Sequence, residues 1–414
     1  MAVWKLSFFI SFFGGFLYGY NAEAMAGAVL FIENKLHLGS NYAEDLITSR
    51  LWAALIAITF SSWLTNRFGR KPILIISTLL LCIGSGLTFI LQGYAEIEIG
   101  RWLTGFGLGL NTIVFILYIA EMAPKKLRGK LLALYGASVS FGMLLSDTVN
   151  ALLSKTDNWS LMLGFTALPA ACLFVYLFFV PESSVWLTRH AAGSVTAKTD
   201  LPFWKRFLPK RKHWYVLVIG GIFAALTEAI GLDTLYGYAP MFYERAGFLR
   251  STTALWATTA TNVVQLIASL LIVRYLDRNS RKHFLTAGLA SLGAILLAMA
   301  LAFWLIPISS GLPWVIFGLM LLLAGAYNFS FISVAWVVIP EMFTDEIRPT
   351  GLVLANLVTY LCVVLLSQFY LDIANAIGFD KMFLFFSLIC FASIFFVSRF
   401  LMETKEEPTQ VQSP

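Results

Sequence analysis

Apolar runs about 20 residues long, the length an α-helix needs to cross a hydrocarbon core, recur from one end of this 414-residue chain to the other. No other feature restricts the fold as much. Inside a bilayer every backbone N–H and C=O must be satisfied within the protein, which leaves helices and closed barrels, and unalternating runs of this length read as helices. The spacing predicts spans at 6–32, 46–65, 73–93, 99–120, 131–152, 161–181, 215–242, 253–274, 284–306, 313–339, 351–372 and 382–401. Composition agrees: 13% of residues are charged, where soluble domains have about a quarter. The chain reads as an all-α, polytopic protein whose first partner is the lipid bilayer.

The opening MAVWKLSFFISFFGGFLYGYN has the apolar core of a signal peptide, but the run continues to Ile32 with no small-residue cleavage site, so it is read as the first span. Lys and Arg concentrate in the loops after the second, fourth, sixth, eighth and tenth spans. The positive-inside rule then makes both termini cytoplasmic. The net charge of +6 is explained by that placement and is no nucleic-acid footprint. Cys82, Cys172, Cys362 and Cys390 all sit in apolar segments, and the four histidines do not cluster, so neither a disulfide framework nor a metal site is expected. No P-loop or catalytic constellation is visible, so no enzyme and no cofactor is expected, and uphill transport would have to draw on an ion gradient.

The longest loop, 182–214, separates two halves that echo each other. NRFGRK at 66–71 answers DRNSRK at 277–282. EMAPKKLR at 121–128 answers EMFTDEIR at 341–348, and PESS at 181–184 answers METK at 402–405. Three markers recurring in one order at nearly constant separation indicate a parallel repeat. The expected layout is an N-terminal six-helix bundle at 1–181, a linker at 182–214, a C-terminal six-helix bundle at 215–401 and a polar tail at 402–414.

With these markers, GFLYGYNAEAMAGA (15–28), GRWLTGFGLG (100–109), LYIAEMAPKKLRG (117–129), NWSLMLG (158–164), PESSVWL (181–187) and the closing METK, the chain resembles the sugar porter family of the major facilitator superfamily along nearly its whole length. The resemblance implies the major facilitator fold, two pseudo-symmetric bundles of six helices. It also implies a secondary transporter that moves a small polar solute, a sugar or polyol, by alternating access, with a functional monomer as the family norm. The short loops suggest a bacterial inner membrane. Two alternatives stay open: an organic cation or amine porter of the same superfamily, and a non-transporting solute sensor. The short first outward loop argues against the former and the short tail against the latter.

At the cytoplasmic ends, Arg67, Arg70, Arg128, Arg278, Arg281 and Arg348 accompany Glu121, Glu182, Asp277, Glu341 and Glu403. Acids and bases in matching places predict a gate of ion pairs between the halves. Exposed pairs are worth only about 0–1 kcal/mol each, which suits a latch that must release. Asn66 stands where the family's first loop signature has an acid, so the first-half side is expected to be the looser. Gly105, Gly107 and Gly109 are expected to permit close helix packing.

The seventh span holds TEAIGLD (227–233), where the family has a pair of glutamines and an asparagine for sugar hydroxyls. By that resemblance Thr227, Glu228 and Asp233 line the pocket, with Gln265, Trp336, Thr359, Tyr360 and Asn21, while the usual fifth-span glutamine is Gly136. Glu228 and Asp233 are five residues apart, about 140° of turn on a straight helix. Both can face one cavity only if the helix opens near Gly231. Four roles fit these acids: binding a cationic solute, carrying a proton, hydrogen-bonding a polyol while protonated, or pairing with a buried base. The only base evident in the spans is Arg101. Proton-linked family members carry an aspartate where this chain has Asn21, and that position alone indicates a uniporter. Glu23, two residues on, supplies an acid from a neighbouring position, and with Arg101, Glu228 and Asp233 it makes proton coupling the favoured expectation.

Overall fold

The computed structural model describes residues 3–37, 40–91, 93–191, 214–275, 280–307, 311–343 and 347–401, and among them the chain is helical with no strand. In the first half the helices are α1 (Val3–Leu36), α2 (Ser40–Phe68), α3 (Arg70–Ile90), α4 (Tyr94–Met122), α5 (Lys125–Leu153), α6 (Trp159–Gly164), α7 (Ala167–Phe178) and α8 (Ser184–Ala191). The second half has α9 (Trp214–Ala229), α10 (Leu232–Gly237), α11 (Ala239–Arg245), α12 (Ser251–Tyr275), α13 (Arg281–Leu305), α14 (Leu312–Ala326), α15 (Ile332–Glu341), α16 (Arg348–Ile377) and α17 (Phe379–Phe400). A π-helical segment, Tyr327–Phe331, joins α14 to α15.

Among the described residues eleven stretches are long and apolar enough to cross a membrane; α1, 34 residues long, has the length but is less apolar. Its central polar residues, among them Asn21 and Glu23, dilute its hydropathy. Three expected spans are not continuous. The sixth is divided at Phe165–Thr166 into α6 and α7. The seventh breaks at Gly231, whose φ of 72° lies in the left-handed region that suits glycine, and its amide closes a turn on the Glu228 carbonyl at 2.8 Å. The tenth holds the π segment, where Ser333 Oγ donates to the Asn328 carbonyl five residues back at 2.7 Å. The start of the expected linker is helical, as α8; the remainder, 192–213, and the tail from 402 lie outside the described residues.

Polar residues inside the spans are largely spent on their own helices. Thr48, Thr65 and Thr78, for example, donate to carbonyls four residues back at 2.8 Å each. The outward surface carries large exposed apolar side chains such as Phe179, Trp304 and Phe395, as a lipid-facing surface requires.

By internal contacts the chain falls into two compact units. The first comprises Met1–Phe207, Leu232–Leu266 and Val363–Ala376, and the second Leu208–Gly231, Ile267–Cys362 and Ile377–Pro414. Within the first, small residues let helix backbones meet. Gly15 and Gly19 of α1 abut the Tyr135 and Val139 carbonyls of α5, and Gly142 of α5 abuts the Phe16 carbonyl of α1. Gly105 and Gly109 of α4 do the same against Arg50 and Ala54 of α2, while Gly107 meets Ser77 of α3. The alternating fourth-span glycines are packing devices, as their spacing suggested. Within the second unit, α13 packs on α17, α9 lies on α15 and α17, and Gly293 meets the ring of Phe391.

Candidate functional site

Three polar clusters interrupt the apolar interior of the first unit. The first lies where α2 passes into α3. Gly69, at φ 97°, turns the chain so that α3 starts against Glu182. The Glu182 carboxylate accepts the backbone N–H of Arg70 at 3.0 Å, of Lys71 at 3.1 and 3.2 Å, and of Ser183 at 2.7 Å. It thereby satisfies amides at the positive end of the α3 dipole. The Arg70 guanidinium grips Glu121 with two bonds, 2.9 Å from Nε and 2.7 Å from Nη2, and gives a third to the Thr65 carbonyl at 3.0 Å. Ser183 Oγ also donates to Glu121, and Trp186 Nε1 reaches the Asn66 carbonyl at 2.9 Å.

The ion pairs of Arg70 and Arg281 differ from the expected gate in two respects. Each lies inside one half: Arg70 with Glu121 in the first, Arg281 with Glu341 at 3.9 Å in the second. The first-half pair is the tighter, where the loss of an acid at Asn66 suggested a looser one. Asn66 is used through its carbonyl, and Glu121 and Glu182 supply the charge. Arg67 lies over the rings of Trp63 and Phe68, 5.3 and 5.5 Å from their centroids. Asp277, Arg278 and Glu403, and the side chains of Arg128 and Arg348, lie outside the described residues.

The second cluster is at the opposite end of the same helices, where sequence reasoning named nothing. Glu44 Oε1 accepts the N–H groups of Leu371 and Asp372 at 3.0 and 3.2 Å. Gln368 Oε1 accepts from Thr48 Oγ1 at 2.9 Å and Trp52 Nε1 at 3.2 Å, and its amide donates to Asp45 at 3.2 Å. Tyr238 OH donates to the Ser367 carbonyl at 2.8 Å and stacks on Tyr370. Arg245 donates to Asn375 at 2.5 Å. All of these join first-half helices, or α10 and α11, to the 363–376 stretch of α16.

The third cluster is buried between those ends. Asn21 and Glu23 of α1, Arg50 of α2, Arg101 of α4, Asp147 and Asn150 of α5, and Asn262 and Gln265 of α12 are all buried. Asn21 Nδ2 is turned back on the Leu17 carbonyl at 3.0 Å. Arg101 Nε donates to the Leu46 carbonyl at 3.0 Å, with Arg50 and Glu98 as its charged neighbours. Glu23 lies within electrostatic reach of Arg50, Asp147 and Asp233. Arg101 is therefore not the only base in the spans. Arg50 and Asp147 were missed, although an ionisable residue inside an apolar run is itself the signal that finds such groups.

Among the candidates on the seventh span, Thr227 and Glu228 are buried at the end of α9, while Asp233, beyond the Gly231 break, is exposed on α10. Glu228 and Asp233 fall in different units. Thr359 and Tyr360 on α16 are buried and Trp336 on α15 is 43% exposed. A Cβ at Gly136 would meet no atom within 4 Å, so the position taken by the family's glutamine opens on free space.

Long apolar helices with buried acids and bases inside the spans, a glycine-broken span and charged clusters at the helix ends are features of a polytopic membrane protein that handles polar or charged solutes. Residues 7–201 and 192–413 each match the family described as sugar (and other) transporter, and the chain belongs to that family. It is 28% identical to the glucose transporter GlcP of Staphylococcus epidermidis over 97% of this chain and 94% of that protein. It is 26% identical to the arabinose-proton symporter of Escherichia coli K12, over 94% and 89% of the two chains. Its fold matches the crystal structure of a D-xylose-proton symporter with a TM-score of 0.83 at 24% identity, covering 97% of this chain and 99% of that one. The fold is thus the twelve-helix major facilitator fold of a multi-pass membrane transporter.

Proposed function

We propose that this protein carries a monosaccharide across a bacterial inner membrane by alternating access, with proton entry driving accumulation. The observation that carries the reading is the match of both halves to the sugar transporter family, together with relatives named for glucose transport and arabinose–proton symport. The buried acids and bases of the first unit support coupling, because such groups inside a membrane are retained for ion movement or ligand binding. In this reading both termini are cytoplasmic and the protein works as a monomer of two six-helix bundles, 1–181 and 215–401. The Arg70 cluster then belongs to the cytoplasmic side and the Glu44–Gln368 cluster to the outer gate.

Each unit supplies its own candidate solute contacts: Asn21, Asp233 and Gln265 in the first, and Thr227, Glu228, Trp336, Thr359 and Tyr360 in the second. The acids at positions where the family has amides favour a second reading, a solute with an amino group, for which charge-assisted hydrogen bonds would replace neutral ones.

The test is uptake into proteoliposomes of labelled D-glucose, L-arabinose and D-xylose under an inward proton gradient, with organic amines as competitors. Accumulation of at least one sugar that collapses with a protonophore is expected. Accumulation indifferent to the protonophore would make the protein a uniporter. Transport of amines and of no sugar would replace the solute class.

A further inference from the structure

The pair formed by Glu23 on α1 and Asp147 on α5 has more acceptors than donors. Glu23 is 5% exposed and Asp147 fully buried, and each holds a carboxylate oxygen, Glu23 Oε2 and Asp147 Oδ1, that no donor reaches. Asn150, one turn beyond Asp147, gives its amide to the Glu23 backbone carbonyl at 3.4 Å, and its own Oδ1, equally buried, also lacks a donor. The amide of Asn262 on α12 is engaged with Asp147 Oδ2 at 2.5 Å. Three buried acceptors therefore lack a donor, the buried and equally unpartnered Arg50 Nε reaching none of them, and a proton on a carboxyl is what would turn an acceptor into a donor. Two buried carboxylates within reach of each other do not readily both ionise.

The charged and titratable neighbours are few. From α2, Arg50 offsets one negative charge of the pair; from α10, the exposed Asp233 faces Glu23; Tyr20 of α1 faces Asp147. From α4, Arg101 faces Arg50 and Glu98. From α11, Glu244 and Arg245 face Glu33 instead.

We propose that Glu23 and Asp147 share a single proton and form the carrier that couples the proton gradient to transport, a task Asn21 cannot perform because its amide does not titrate. The proposal rests on the proton-coupled reading above. On loading, a proton from water forms an O–H bond on one carboxylate and is shared towards the other. On release the same proton returns to water on the opposite side, and no other bond changes. The link to movement is the Asp147–Asn262 bond between α5 and α12. It is charge-assisted when Asp147 is ionised and weaker when Asp147 holds the proton, so proton occupancy biases the contact between these helices.

The experiment combines infrared titration of purified full-length protein in liposomes with transport. A protonated-carboxyl band is expected in wild type at neutral pH without any sugar, lost or displaced in Glu23→Gln and in Asp147→Asn, and retained in Asp147→Glu. The ratio of gradient-driven uptake to counterflow should fall at least tenfold in either amide variant, and no further in the double variant. A band untouched by both substitutions, or uptake driven by a sodium gradient in place of a proton gradient, overturns the proposal. If wild type moves no sugar, the solute reading fails, while the band still decides whether the pair holds a proton.

Discussion

Arg70 is 2% exposed and Glu121 9%, so the bidentate pair between them is a buried one. Removing one partner of such a pair strands the other charge, which costs about 3–5 kcal/mol. Arg70→Ala should therefore lower the thermal unfolding midpoint in detergent sharply. Arg70→Lys should recover only part of it, because an ammonium cannot make the two parallel bonds of a guanidinium; recovery to wild type would show that charge alone matters there. Beside it, Gly69 combines a positive φ with a Cβ position that runs into Glu182. Left-handed backbone costs an L side chain about 1–2 kcal/mol before any clash is counted. Gly69→Ala should then destabilise by at least that much, read from the same melting curves.

Helices in lipid gain nothing from hiding apolar surface from one another, so their seams depend on close backbone approach. The α1–α5 seam uses Gly15, Gly19 and Gly142, each against a carbonyl of the facing helix. Gly19→Leu should force the pair apart, at a cost of about 1–3 kcal/mol or more, and reduce the yield of monodisperse protein on size-exclusion chromatography. Gly231 acts differently, by dividing the seventh span between Glu228 and Asp233. Gly231→Ala meets both a positive φ and the ring of Phe386. It should lower transport in liposomes more than it lowers stability, since the break it removes lies between Glu228 and Asp233 in the chain.

At the scale of the whole molecule, the Glu44–Gln368 cluster ties first-half helices to a stretch of α16. Glu44→Gln would exchange two charge-assisted bonds for neutral ones, a loss of about 1 kcal/mol each. A shift of that size changes a two-state population roughly fivefold per bond. Single cysteines placed near Thr48 should therefore become more reactive to a membrane-impermeant thiol reagent in that variant; unchanged reactivity would deny the cluster a gating role. Gly136→Gln, filling open space, should leave the melting temperature within the range of a neutral surface change, about ±0.5 kcal/mol. Its effect should appear in solute preference during competition assays.

The sequence alone determined the helical class and the family, because membrane crossing imposes apolar run lengths that survive in one dimension. It also set a condition that the structure meets, a helix opening near Gly231, since two acids five residues apart cannot face one cavity on an unbroken helix. Which groups meet was a matter for the tertiary structure. Asn66 looked like a defect in the first loop signature, yet Glu182, more than a hundred residues later, caps the helix that follows it. Asp147 is one acid in an apolar run until α1 places Glu23 near it and α12 sets Asn262 on one of its oxygens. Hydrogen-bond balance is a property of three-dimensional neighbourhoods, and the shortage of donors around Glu23 and Asp147 exists only once the helices are packed.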